Sequence, residues 1–331
     1  MPPPLRRPLV LVILLGALLA QASVAWGGNG GFGPVDPVSP NGERIEDAYY
    51  LIAGLSVFVF LVVTIPLVIF IVRFRNRGRA RSVEGPQIRG NTSLELAWTA
   101  VPVLLLALVA GFVFYKLPGI TSLSSAEGAT DLEITVEARQ FYFQYEYPNG
   151  VIAIDRLRVP QGRVVDLEIT APESDVVHSF WIPALGAKFD AIPGETNELE
   201  FKPERTGVFP GQCGEFCGIQ HAAMTASLEV LPAAEFDSWL REEAQAQETG
   251  DSDLGEATFA GACANCHGVA GEGLIGPALA GNPIVEQREA LEEVVRNGRG
   301  EMPAVGEGWQ DRQMDALFRY LREELGSDDG G

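Results

Sequence analysis

Three stretches of the chain are apolar without a break, and they differ in what their length allows. Leu9 to Ala20 follows Arg6 and Arg7 and runs into Ala20-Gln-Ala22. A basic start, a short apolar middle and small residues at the end is the order of a secretory signal, here residues 1–25. Twelve residues do not cross a bilayer core of about 30 Å. A retained interfacial anchor is the alternative. Ala48 to Val72 and Leu96 to Tyr115 are long enough, and neither holds a charge. The first would reach roughly 37 Å as a helix, with a local kink at Pro66. The pattern predicts a transmembrane hairpin over 26–125, with spans at about 48–72 and 96–115. Arg73, Arg75, Arg77, Arg79, Arg81 and Arg89 lie between them, opposed by Glu84 alone. The excess of arginine makes the loop 73–95 cytoplasmic and places both ends of the mature chain outside. Its position between two spans argues against a nucleic-acid partner.

Beyond Gly128 the period falls to two. Leu132, Ile134, Val136 and Ala138 alternate with polar neighbours, as do Val165, Leu167 and Ile169. Thr196 to Phe201 and Thr225 to Leu231 are also strand-like, and Pro-Asn-Gly, Pro-Gln-Gly and Pro-Gly turns separate the stretches. Short strands with no long amphipathic helix predict a Greek-key β-sandwich over 126–231. Residues 232–251, rich in Ala, Glu and Gln, read as a linker that could be helical. A small helical domain over 252–326 and a tail at 327–331 complete a multi-domain chain.

Charge adds one asymmetry. The formal net charge is −20, and from Pro232 onward 21 acids face seven bases. Such a surface favours solubility and attracts basic partners, and does not bear on fold.

The chemistry is concentrated in two short clusters. All four cysteines and two of the three histidines fall in Cys213-Gly-Glu-Phe-Cys217-Gly-Ile-Gln-His221-Ala-Ala-Met224 and in Cys263-Ala-Asn-Cys266-His267; the third histidine is His178. Thiolate, imidazole and thioether together select copper over calcium, magnesium or manganese. One thiolate with two imidazoles and a methionine would make a mononuclear site. A second thiolate allows two copper ions to be bridged, with one imidazole on each. Cys213 and Cys217 could instead form a disulfide, act as a redox thiol pair, or deliver copper. The glycines at 211, 214 and 218 predict a folded loop despite the helical spacing of the ligands. Cys263, Cys266 and His267 have the spacing of a covalent haem c attachment site, with His267 as axial ligand. A thioether sixth ligand could come from Met302 or Met314. Met314 recurs with Leu317, Phe318 and Leu321 on a helical period, so Met302, before Pro303 in a glycine-flanked loop, is the better candidate. A zinc site there lacks further ligands.

Residues 41–231 resemble subunit II of the haem–copper cytochrome c oxidases. The likeness rests on Cys213 to Met224, on Asp175-Val-Val-His178-Ser-Phe and on Lys188-Phe-Asp190-Ala-Ile-Pro-Gly194. It implies a cupredoxin-like domain in which Cys213 and Cys217 bridge two coppers and His178 and His221 are terminal ligands. Met224 and the Glu215 carbonyl would be weak ligands, and the Glu215 side chain would bind a magnesium ion shared with the catalytic subunit. Thr92-x-x-Glu95 reads as a capping box; the resemblance also implies that Glu95 lies near a proton channel of the partner subunit. The family's tryptophan-rich stretch is replaced by Gln140 to Tyr147, with Phe141 at the usual electron-accepting tryptophan. Residues 252–326 are similar to class I cytochrome c, through Cys263 to His267, Gly276-Pro277-Ala278-Leu279 and Met302-Pro303. The resemblance implies a caa-type arrangement in a bacterial inner membrane, both soluble domains being extracytoplasmic. Its partners would be catalytic subunit I, the other oxidase subunits and an external donor, which could be a cytochrome c, another cytochrome or a quinol-oxidising complex. A nitric oxide reductase subunit and a membrane-anchored copper chaperone or thiol redox protein are the alternatives.

Overall fold

A computed structural model describes residues 33–75, 87, 89–121 and 130–326. The expected signal at 1–25, Arg77, Arg79, Arg81 and Glu84 of the basic loop, and the tail at 327–331 lie outside these residues.

The chain divides into two compact units. In the first, helices α1 (Pro40–Arg73) and α2 (Thr92–Lys116) carry the two apolar runs. Both exceed the expected spans, because polar turns at each end join the helix. Their valine, leucine and phenylalanine side chains are exposed all round, which suits lipid rather than water. Lys116 Nζ at the end of α2 pairs with Asp47 Oδ2 near the start of α1 at 2.5 Å, as an antiparallel hairpin requires. The expected cap shifts by one residue. Asn91, not Thr92, is the N-cap: its side chain accepts from the Leu94 amide, while Glu95 Oε1 accepts from the Asn91 amide at 3.4 Å. Asn91 holds the extended backbone that a cap needs, whereas Thr92 is already helical.

The second unit contains ten strands among its described residues, with most of its helices in the C-terminal part. Strands β1 (Leu132–Arg139), β2 (Tyr142–Glu146), β3 (Ile152–Ile154), β5 (Val165–Thr170) and β8 (Asn197–Phe201) form one sheet in the order β3-β2-β1-β5-β8. Strands β4 (Arg156–Pro160), β6 (His178–Trp181), β7 (Phe189–Ala191), β9 (Gly207–Cys213) and β10 (Thr225–Leu231) form the other, in the order β4-β10-β9-β6-β7. The alternation in β1, β5 and β10 puts Ile134, Val136, Leu167, Ile169 and Leu228 into the core between the sheets, as a half-buried strand does.

Residues 233–249 are not an open linker. They form helix α3 (Ala233–Thr249), closed by Gly250 in the left-handed region. Phe236 and Trp239 pack on Tyr147 of the sandwich. Buried Gln247 donates to the Ile152 carbonyl and accepts from the Ile152 amide, pairing a strand edge that would otherwise be bare. The C-terminal domain follows: α4 (Leu254–Thr258), a π-helical turn (Phe259–Cys263), α5 (Ala264–His267), α6 (Arg288–Asn297) and α7 (Asp311–Leu325). Its core of Phe259, Leu291, Val295, Leu317 and Leu321 is continuous with Tyr142, Ile152 and Ile154 of the sandwich.

Candidate metal and haem centres

The β9–β10 connection carries the first centre. Cys213 closes β9, and its amide donates to the Met224 carbonyl, which fixes the two ends of the loop against each other. Between them the chain folds back through Gly218, at φ 136°, where a side chain would meet the Phe141 ring; only glycine takes this conformation easily. A single 3-10 turn, His221–Ala223, then presents His221. His178 arrives from β6, whose Phe180 pairs with Cys213. Sheet register therefore gathers ligands that lie 35 residues apart in sequence.

The candidate donors converge. His178, Cys213 and Cys217 are buried and offer atoms that lie within 4.8 Å of one another. The two sulfurs are 3.9 Å apart, far beyond a disulfide of about 2.05 Å, yet within reach of a shared ion at about 2.3 Å from each. His221 Nδ1 lies 3.6 Å and Met224 Sδ 3.8 Å from the Cys217 sulfur, and the Glu215 carbonyl lies 3.1 Å from that of Cys213. His178 Nε2 is 3.2 Å from Asp175 Oδ1, while its buried Nδ1 has no hydrogen-bond partner of normal geometry. An orphaned imidazole nitrogen beside two unpaired thiols fits a soft metal, and the carboxylate behind it orients the ring.

Electrostatics agree. The hydrogen bond with Cys217 holds the Cys213 thiol well below its ordinary range, against burial. Cys217 is pushed well up by the neighbouring Cys213 and by burial. The pair shares its remaining proton unequally, and a metal bound to both sulfurs would displace it. Burial raises Asp175, but bonds with His178 and with the Val176 and Gln140 amides outweigh it and leave its carboxyl low. Gln140 braces the loop from outside, its Nε2 donating to the Cys217 carbonyl at 2.6 Å. Phe141 is buried. Glu215 turns its side chain outward, 3.4 Å from Lys188 Nζ.

The second centre sits at the π-helical turn and α5. His267 is buried, and its Nδ1 lies 2.7 Å from the Pro277 carbonyl. That bond assigns the proton to Nδ1 and leaves the Nε2 lone pair free to bind a metal. Gly276 lies flat against the ring, where a Cβ would come within 2.7 Å of it. Cys263 and Cys266 are both unpaired. Met314 is wholly buried in α7, whereas Met302 is only partly buried and its backbone bridges to Arg299. Glu95 lies on α2, in the other unit.

The sequence reading did not find Tyr142. Its hydroxyl donates to the Val305 carbonyl at 2.7 Å and accepts from Trp309 Nε1 at 2.9 Å. An aromatic residue in a strand signals a core, and nothing near it in sequence announces a partner 163 residues away.

Known families match along the chain. "Cytochrome C oxidase subunit II, transmembrane domain" matches residues 29–115, and the periplasmic domain of the same subunit matches 150–231. "Cytochrome C oxidase, cbb3-type, subunit III" matches 250–321. Cytochrome c oxidase subunit 2 of Alkalihalophilus pseudofirmus is 32% identical over 317 residues, which cover 87% of this chain and 89% of that protein. The probable subunit 2 of Rickettsia bellii is 30% identical over 264 residues, 73% of this chain and 93% of that one. The crystal structure of the periplasmic domain of subunit II from Bradyrhizobium japonicum overlaps 36% of this chain and 96% of its own, at 34% identity and a TM-score of 0.34. A subunit 2 relative aligned over most of both lengths, and a cytochrome match over 250–321, beyond the periplasmic-domain match, place the sequence: the chain belongs to the cytochrome c oxidase subunit 2 family and carries a cytochrome c domain at its C-terminal end.

Proposed function

We infer that this subunit takes electrons from an external donor at a covalently bound haem c and passes them through a dinuclear copper centre. The catalytic subunit would then reduce oxygen to water with proton pumping. The observation that carries the reading is the convergence of buried His178, Cys213 and Cys217 on one point, with His221, Met224 and the Glu215 carbonyl each beside one of the two sulfurs. Cys213 and Cys217 would hold both coppers, His178 and His221 would be the terminal ligands, and Met224 and the carbonyl would be weak ligands. Bound copper supplies a one-electron relay, and bound haem supplies a second.

The chain's own groups set the conditions. Burial of both thiols and of His178 keeps water from the centre, and the β9–β10 ladder holds the ligands still between oxidation states. Cys263 and Cys266 would carry the haem, with His267 and Met302 as its axial pair. Met302, on a partly buried loop, suits ligation better than Met314 at the centre of α7. The exposed Glu215 carboxylate offers one ligand to a magnesium ion, whose other oxygens would come from the partner subunit and water. Glu95, in the first turn of α2, would lie near the cytoplasmic mouth of a proton channel in the partner subunit. The proposed domains are a signal at 1–25, the hairpin at 26–125, the copper domain at 126–231 and the haem domain at 252–326, in a bacterial inner membrane with both soluble domains outside.

The test uses the native complex, purified from membranes through this subunit and driven by a reduced cytochrome c or an artificial donor. Rapid oxygen uptake with little nitric oxide turnover is expected. The reverse would move the chain to nitric oxide reduction, and consumption of neither gas in the absence of a large partner subunit would reopen the copper-chaperone reading.

A further inference from the structure

The haem-attachment loop and the copper-ligand loop touch through one side chain. Gln220 Nε2 donates to the Asn265 carbonyl at 2.7 Å. Asn265 lies between the two attachment cysteines and adjoins Cys266, and Gln220 adjoins His221. The acceptor is a backbone carbonyl, so the amide must present its NH2 group. From the Cys266 sulfur to the His221 ring the path is therefore covalent apart from a single hydrogen bond. The contact is not an isolated graze. Tyr142 with Val305 and Trp309, and Gln144 with Gln313 at 3.0 Å, hold the same face of the C-terminal domain on the sandwich.

We propose that Gln220 is the contact that couples the two centres electronically, in a C-terminal domain that Tyr142, Trp309, Gln144 and Gln313 already hold docked on the sandwich. The inference rests on the haem and copper reading above. The step it serves moves one electron: ferrous iron becomes ferric, one Cu(II) equivalent of the copper pair becomes Cu(I), and no bond or proton changes hands. Gln220 is half-buried and lies outside both hydrophobic cores, so its replacement leaves the fold intact.

The test compares wild type, Gln220→Leu and Gln220→Arg in the complete oxidase. An electron is injected photochemically at the haem and its arrival at copper is timed, while pulsed EPR gives the iron–copper distance. Leucine removes the donor and should slow the transfer severalfold, with both optical spectra and the distance unchanged. Arginine restores an N–H donor and should recover most of the rate. An unchanged rate in Gln220→Leu would overturn the proposal. A slowed rate accompanied by a broadened distance would also overturn it, by reducing Gln220 to a clamp. Wild-type protein without haem or copper-pair signals would instead overturn the underlying reading, and this inference with it.

Discussion

Asp155 joins β3 to β4 at φ 55°, a left-handed conformation that aspartate and asparagine tolerate better than most side chains. Its Oδ1 accepts from the Phe143 amide at 2.9 Å, and its other oxygen lies where a Cβ on Gly261 would come within 2.9 Å. Burial, only partly offset by that amide, pushes its carboxyl up to about 7. A folded-state value above the unfolded one means that the folded chain holds the proton more tightly. The contribution is therefore full below about pH 4 and lost as pH rises toward 7. Asp155→Asn keeps the acceptor and removes the charge. It should stabilise the soluble region by about 2–4 kcal/mol at pH 8 and change little at pH 4, read from denaturant midpoints. An equal gain at both pH values would refute the assignment. At the metal loop, Cys217→Ser should abolish the delocalised two-copper EPR spectrum; a spectrum that survives would sink the bridging role. Met302→Ala should lower the haem potential and leave copper bound, and an unchanged potential would point to Met314. The clustering of donor side chains was legible because few residue types can ligate soft metals and four of them fall within the twelve residues 213–224. Asp155 was not, since an Asp between strands reads as an ordinary turn residue.

Element scale is where the sequence was most misleading. The period-two pattern identified β1, β5 and β10 because each has one dry face and one wet one. Strand β2 reads Tyr142-Phe-Gln-Tyr-Glu and does not alternate, because both of its faces are covered. Phe143 and Tyr145 enter the sandwich core, while Tyr142 and Gln144 face the C-terminal domain. A strand buried on both sides loses its signature. The composition of α3 allowed a helix within a linker but gave no sign that this helix packs on the sandwich. Gln247 is what turns this helix into a structural element, through paired bonds to Ile152. Gln247→Ala would leave a buried donor and a buried acceptor unpaired. It should cost about 2 kcal/mol or more in denaturant unfolding of the chain; a loss within error would mean that water reaches the β3 edge.

At the scale of the whole molecule, the sandwich and the C-terminal domain share apolar surface rather than merely sharing a chain. A stop after Leu231 would strip cover from Tyr142, Ile152 and Ile154. Removing that contact should lower the denaturant midpoint of the sandwich and its solubility relative to the full chain, since each large apolar side chain uncovered forfeits about 1.5–3 kcal/mol. An unshifted midpoint would show the two domains to be energetically independent. The burial of Cys263 within this shared core bears on how the protein is made. No enzyme can reach a thiol enclosed between two closed domains. On the proposed reading, the machinery that joins haem to Cys263 must act while the C-terminal segment is still open, and closure against β2 and β3 comes only afterwards. Maturation then has a compulsory order, and a chain that closes first is trapped without its pigment.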